Sequence, residues 1–281
     1  MNRTRHYLRR LRQSLLFLVL LVVSVWGYLN HRADHHVFAW DRELEILLVP
    51  LVDPATDLAD GGNAELMRRF LSVAPGGGTL ALERWFEDEY ARHVRPVDSL
   101  LRIAVESPSR VASLPPPIPD LTDSFVARWR KTAAFLEYFE DLDREHRLLQ
   151  GAFDATLFVY FYDPERRSTF VEHHPVATRR RRFGVVFVPL ELYSGGFYSA
   201  LLAHELCHAF GATDKYAGGT SVFPEGFAEP QNDPLYPQRH AEIMALGIPV
   251  ASGVERRVES LSDCVVGDTT AREMGWLPPL E

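Results

Sequence analysis

The sequence predicts an α+β fold: a twisted, mixed β-sheet with long helices packed on it and a loop-rich C-terminal part. Three observations point there. Apolar runs of strand length recur at 44–52 (LEILLVPLV), 100–105 (LLRIAV), 156–162 (TLFVYFY) and 183–189 (FGVVFVP). Longer stretches with apolar residues at helical spacing separate several of them. Beyond Gly211, segments such as FPEGFAEP are too rich in proline and glycine to be regular.

Taken in order, the chain opens on a basic tail, residues 1–13, with Arg3, Arg5, Arg9, Arg10 and Arg12 and no acid before Asp34. Residues 14–29 (SLLFLVLLVVSVWGYL) are an unbroken apolar run of 16 residues. As a helix it spans about 24 Å, slightly short of a hydrocarbon core of roughly 30 Å. Gln13 and Asn30 extend it, and Trp26 and Tyr28 suit the outer interface. The reading is a transmembrane signal anchor that places this chain in a lipid bilayer as a single-pass protein. Arginines on one side only keep the N-terminus cytoplasmic and the large domain extracytoplasmic, periplasmic or extracellular. A cleaved signal peptide is the competitor, but WGYLNHRADHH lacks an A-x-A-like site. Residues 30–41 read as a juxtamembrane spacer, and His31, His35 and His36 as part of it.

The domain then occupies 42–281. Asp53 to Gly62 is turn-like, and Gly76-Gly77-Gly78 is a loop without the fuller pattern of a phosphate cradle. Residues 80–94 have helical spacing, with Leu82, Trp85, Phe86 and Tyr90 near one face. LPPPIP, 114–119, is a stiff connector. Asp120 or Thr122 can cap a long helix running to about Leu149, with Phe125, Trp129, Ala133, Leu136 and Phe139 as its predicted buried stripe. Arg179 to Arg182 reads as a solvated basic loop.

Composition excludes some function classes. Hydrophobic residues make up 46% and charged residues 24% of the 281, which excludes a disordered chain. Removing the five arginines of residues 1–12 from the net charge of −8 leaves −13, a poor match for nucleic acid.

The chemistry lies in a predicted helix, 197–210, reading FYSALLAHELCHAF. His204 and His208 are four apart, so both imidazoles face one side of the helix and can share an ion. Glu205 sits about 100° round, beside the ion, where a base for a metal-activated water belongs. Gly211 can stop the helix through positive φ. Asp214 is then placed to return as a third ligand, since zinc accepts carboxylate oxygen and a catalytic site keeps one position open. Glu225, Glu229, His240 and Glu242 are rivals for that role. Tyr216 is a candidate donor to an oxyanion, or packs in the loop.

At these residues the chain resembles the metzincin metallopeptidases. HELCHAFGATD, 204–214, is similar to their HExxHxxGxx(H/D) pattern, with Asp214 where most members have histidine, as in the aspartate-ligand branch typified by snapalysins. Met244, in AEIMALGIP, is similar in placement to the clan's methionine turn. The resemblance implies a zincin-like fold, one Zn2+ per chain held by His204, His208 and Asp214, Glu205 as catalytic base, and a peptide or protein as substrate. It also implies that the cleft is bordered by the strand 183–189 or its neighbour, with substrate extended along the edge. The function expected is that of a membrane-anchored zinc metallopeptidase. The alternatives are a non-catalytic scaffold or binding protein with this fold, and a zinc hydrolase of a non-peptide amide. Cys207 and Cys264 are the only cysteines. They form either a disulfide joining the site helix to a C-terminal helix around 254–264, or two buried free thiols.

Overall fold

The computed structural model describes residues 38–59, 61–72, 78–111, 115–117, 123–150, 153–164, 176–178, 182–190 and 195–279. In chain order these contain β1 (Leu44–Val52), α1 (Gly61–Phe70), α2 (Gly78–His93), β2 (Leu101–Val105), β3 (Ser109–Arg110) and α3 (Phe125–Gln150). Then come β4 (Ala155–Tyr162), β5 (Val176–Thr178), β6 (Phe183–Pro189) and α4 (Gly195–Phe210). The C-terminal part holds β7 (Tyr216–Ala217), β8 (Thr220–Ser221), β9 (Ala241–Glu242), β10 (Gly247–Ala251), β11 (Val254–Arg257), β12 (Cys264–Val265) and α5 (Asp268–Glu273).

The main sheet has the order β2-β1-β4-β6-β5, with β3 also paired to β1. All its pairings are parallel except β5 with β6, which is antiparallel. A parallel strand inside a sheet is covered on both faces and therefore reads as a continuous apolar run. That is why LEILLVPLV and FGVVFVP were legible as strands, and β6 is buried along its whole length. Alternate residues feed two cores. Ile46, Leu48, Leu157, Val159, Val186 and Val188 face one, with Leu82, Phe86 and Phe210 of α2 and α4. Leu47, Val49, Phe158, Tyr160 and Val185 face the other, with Phe135 and Phe139 of α3. The architecture is mixed α/β with a mainly parallel sheet and five α-helices among the described residues, consistent with the predicted α+β class.

The predicted face of α2 is buried at all four positions, Leu82, Trp85, Phe86 and Tyr90. The predicted stripe of α3 is corrected. Phe125 is 80% and Trp129 66% exposed, and burial begins at Phe135. The first turns lie clear of the sheet, which periodicity cannot reveal. The helix α1 begins at Gly61, at the end of the stretch 53–62 expected to be turn-like, and no α-helix covers 254–264. That stretch is β11, a 3-10 turn at Leu261–Asp263 and the start of β12.

The predicted membrane placement is also corrected. Among the described residues no helix is long and apolar enough to cross a membrane. The longest, α3, has 26 residues but carries Arg128, Arg130, Lys131, Glu137, Glu140 and Asp141, which hydrocarbon does not accept without partners. The apolar α4 has only 16 residues. The tail 1–13, the run 14–29 on which the anchor, the bilayer contact and the extracytoplasmic localisation rested, and most of the spacer 30–41 lie outside the described residues.

Candidate metal centre

The helix α4 is buried along most of its length against the sheet and α2, because its flanks are Ala200, Leu202, Ala203, Leu206 and Phe210. This rigid seat fixes the two histidines one turn apart. Their rings lie 4.6 Å apart between centroids and nearly perpendicular, at 89°. His204 places Nδ1 3.0 Å from the Ile243 carbonyl, and His208 places Nδ1 2.8 Å from the Ala212 carbonyl. A carbonyl only accepts, so each Nδ1 carries a proton, and each Nε2 is the nitrogen that turns to a ligand once its own proton has left.

The helix ends as Gly211 requires. Its φ is 114°, a region that disfavours side chains. Ala212 N–H then donates to Cys207 C=O at 2.9 Å, turning the chain back. The return brings Asp214 Oδ1 to 3.1 Å from His208 Nε2 and 3.4 Å from His204 Nε2. Burial by itself would raise the Asp214 carboxyl, but hydrogen bonds from His204 and His208 outweigh it and hold it well below the usual carboxylate range. The same pairing, with nearby Glu205, raises His208 against the opposing effect of its burial.

Glu205 is 2% exposed, with Oε1 3.8 Å from His204 Nε2. Burial pushes its pKa up to about 7, opposed by the two histidines. Its Oε2 is buried with no hydrogen-bond partner. A buried orphan oxygen of this kind is costly unless something polar occupies the space before it. His204, Glu205 and His208 together form a group that could hold a metal ion, their ligand atoms lying within 4.8 Å of one another.

The tight turn carrying Met244 lies against this centre. Ala245 N–H donates to Glu242 C=O at 2.9 Å, Met244 is fully buried, and the turn's Ile243 carbonyl is the one that holds His204. Of the rival ligands, Glu242 is fully buried below the turn. It accepts from Met244 N–H, Gly267 N–H and the Thr270 hydroxyl. Glu229 is bonded to His240 and to the Arg239 amide. None of these three joins the two histidines. Tyr216, two residues beyond Asp214, is 43% exposed. Burial, then the charges of Asp214 and Glu205, raise its hydroxyl pKa. Cys207 and Cys264 are free and buried, the second of the two alternatives for them. The carbonyls of Ile243 and Ala212 escaped sequence reasoning, since a backbone acceptor leaves no trace in residue type.

No family model matches this chain, and no curated protein matches it. Among solved structures, two crystal forms of OgpA from Akkermansia muciniphila are similar to it at TM-scores of 0.42 and 0.41 and 11% identity. Each match covers 85% of this chain and 62% of OgpA. A chaperone-substrate complex is similar at a TM-score of 0.36 and 12% identity, covering 72% of this chain and 30% of that one. The chain thus spans less than two thirds of the length of each structure, and at these scores the likeness identifies neither a family nor an activity.

Proposed function

We propose that this chain is a zinc-dependent metallopeptidase with a zincin-like fold, of the metzincin kind that uses aspartate as third ligand. One observation carries the reading. Two imidazole Nε2 atoms and the Asp214 carboxylate converge, and the buried carboxylate of Glu205 stands beside them with an oxygen unpartnered. Nitrogen and carboxylate donors in this number are what zinc takes when one position stays open for reaction. The buried methionine turn under His204 supports the resemblance. So does β5, an antiparallel strand at the sheet edge, since an extended peptide can add to such an edge.

Bound there, zinc would acidify a water and polarise the scissile carbonyl. The remaining steps fall to the chain's own groups. Glu205 takes the proton from the attacking water and passes it to the leaving amine. Tyr216 donates its hydroxyl towards the developing oxyanion. Asp214, His204 and His208 hold and orient.

The test pairs metal content with hydrolysis of casein and broad peptide libraries, for wild type and Glu205→Gln. Both proteins should carry about one zinc per chain, and only wild type should cleave. Its activity should vanish with a chelator and return with zinc. Wild type that binds zinc but cleaves no peptide would sink the peptidase reading.

A further inference from the structure

The segment that delivers Asp214 is a short surface return, yet both its neighbours in sequence are fastened to one distant side chain. Thr213 N–H donates to Glu273 Oε2 at 2.9 Å, and its hydroxyl donates to Glu273 Oε1 at 2.8 Å. Lys215 Nζ donates to both Glu273 oxygens at 2.8 Å and to the Thr213 hydroxyl at 2.7 Å. Glu273 ends the helix α5, 60 residues beyond Thr213. Lys215 is buried, and its own N–H donates to Met244 C=O at 3.0 Å in the turn beneath the histidines.

We propose that Glu273 is the positioning residue for the carboxylate ligand, gripping Thr213 and Lys215 so that the backbone between them aims Asp214 at His204 and His208; this rests on the metal-site reading above. The physical case is one of preorganisation. Gly211 frees the chain to turn, and a free loop would lose metal affinity to the entropy of ordering Asp214. The Lys215 ammonium is buried and the Glu273 carboxylate partly exposed, so desolvation of the one and solvent screening of the other offset much of their attraction. Stability alone is therefore a poor reason for placing such a pair across the residues that flank a ligand. Partners outside the ligand sphere commonly change metal affinity by 10–100-fold.

The experiment is a double-mutant cycle on zinc affinity, measured by competition with a chromophoric chelator. It uses the whole chain as wild type, Glu273→Gln and Thr213→Val, each also in the Asp214→Ala background, with the melting temperature of every metal-free form. Thr213 is exposed, so its variant folds even if loss of Glu273 leaves Lys215 buried without a counter-charge. Glu273→Gln should weaken zinc by about 10–100-fold and Thr213→Val by about threefold. In the Asp214→Ala background neither should change affinity by more than about twofold, because there is no carboxylate left to aim. Losses of equal size in that background would show general loosening or long-range charge and overturn the proposal. So would unchanged affinity in either variant made in the wild-type background. Wild type without stoichiometric zinc, or Asp214→Ala binding as wild type does, would instead overturn the metal-site reading and this proposal with it.

Discussion

His204 Nδ1 lies 3.0 Å from the main-chain carbonyl of Ile243, so the methionine turn sets the tautomer of the first imidazole at the centre. Backbone holds a ring more firmly than a side chain could, because it cannot rotate away. His204→Ala and His208→Ala should each leave less than stoichiometric zinc after dialysis, by metal analysis. Full occupancy at unchanged affinity in either would remove that histidine from the ligand set.

Glu205 links activity to stability. Its carboxyl pKa is raised from 4.5 to about 7 in the metal-free protein, so the fold prefers the protonated form. The fold is not penalised below about pH 4.5, and stability is lost as pH rises through 7. Metal-free Glu205→Gln lacks this loss. It should match wild type near pH 4.5 and be more stable at pH 8, by up to about 3 kcal/mol for a shift of this size. Denaturant titration at the two pH values reads it; equal stability at pH 8 would contradict the burial argument.

Tyr216→Phe keeps the ring and deletes the hydroxyl. Zinc content should be unchanged while kcat falls by about ten- to a hundredfold, with KM little altered, as expected for a donor used in the transition state. A change in KM alone would reduce Tyr216 to a packing residue.

Gly211→Ala forces a side chain into a φ of 114°. About 1–3 kcal/mol of stability should be lost. Zinc affinity should fall as well, since the turn after Gly211 carries Asp214. Unchanged thermal stability would show that the turn tolerates a side chain.

Phe139→Ala and Phe125→Ala separate the two ends of α3. Phe139 is fully buried against Phe158 and Phe183, Phe125 80% exposed. The first should cost about 3–5 kcal/mol and the second about 0.5 or less by chemical denaturation. Similar costs at both ends would contradict the packing described.

What could be read in advance followed from local periodicity. The parallel strands are apolar throughout because both faces are covered, and α2 shows its buried face at Leu82, Trp85, Phe86 and Tyr90. His204, Glu205 and His208 are fixed by helical geometry alone, and Gly211 announces the turn after them. The rest depends on tertiary placement. Trp129 carries the same apolar signal as Phe139 but lies off the sheet, and nothing local distinguishes them. Glu273 is an ordinary helix-end glutamate until the fold brings it to Thr213. The strand β5 is three residues long, too short to stand out from a loop.

The position of β1 has a consequence for synthesis. It is an early element of the domain, yet it is central, lying between β2 and β4. Its register with β4 pairs Ile46 with Ala155, so one flank must wait for roughly a hundred further residues to leave the ribosome. At about 5–20 residues per second, that leaves LEILLVPLV without its second neighbour for about 5–20 s. During that interval a strand with Leu44, Ile46, Leu48 and Val52 along one side is open to pairing with another nascent copy. Crowded polysomes and high expression are therefore the conditions under which this chain is most exposed to aggregation, whatever the stability of its finished form.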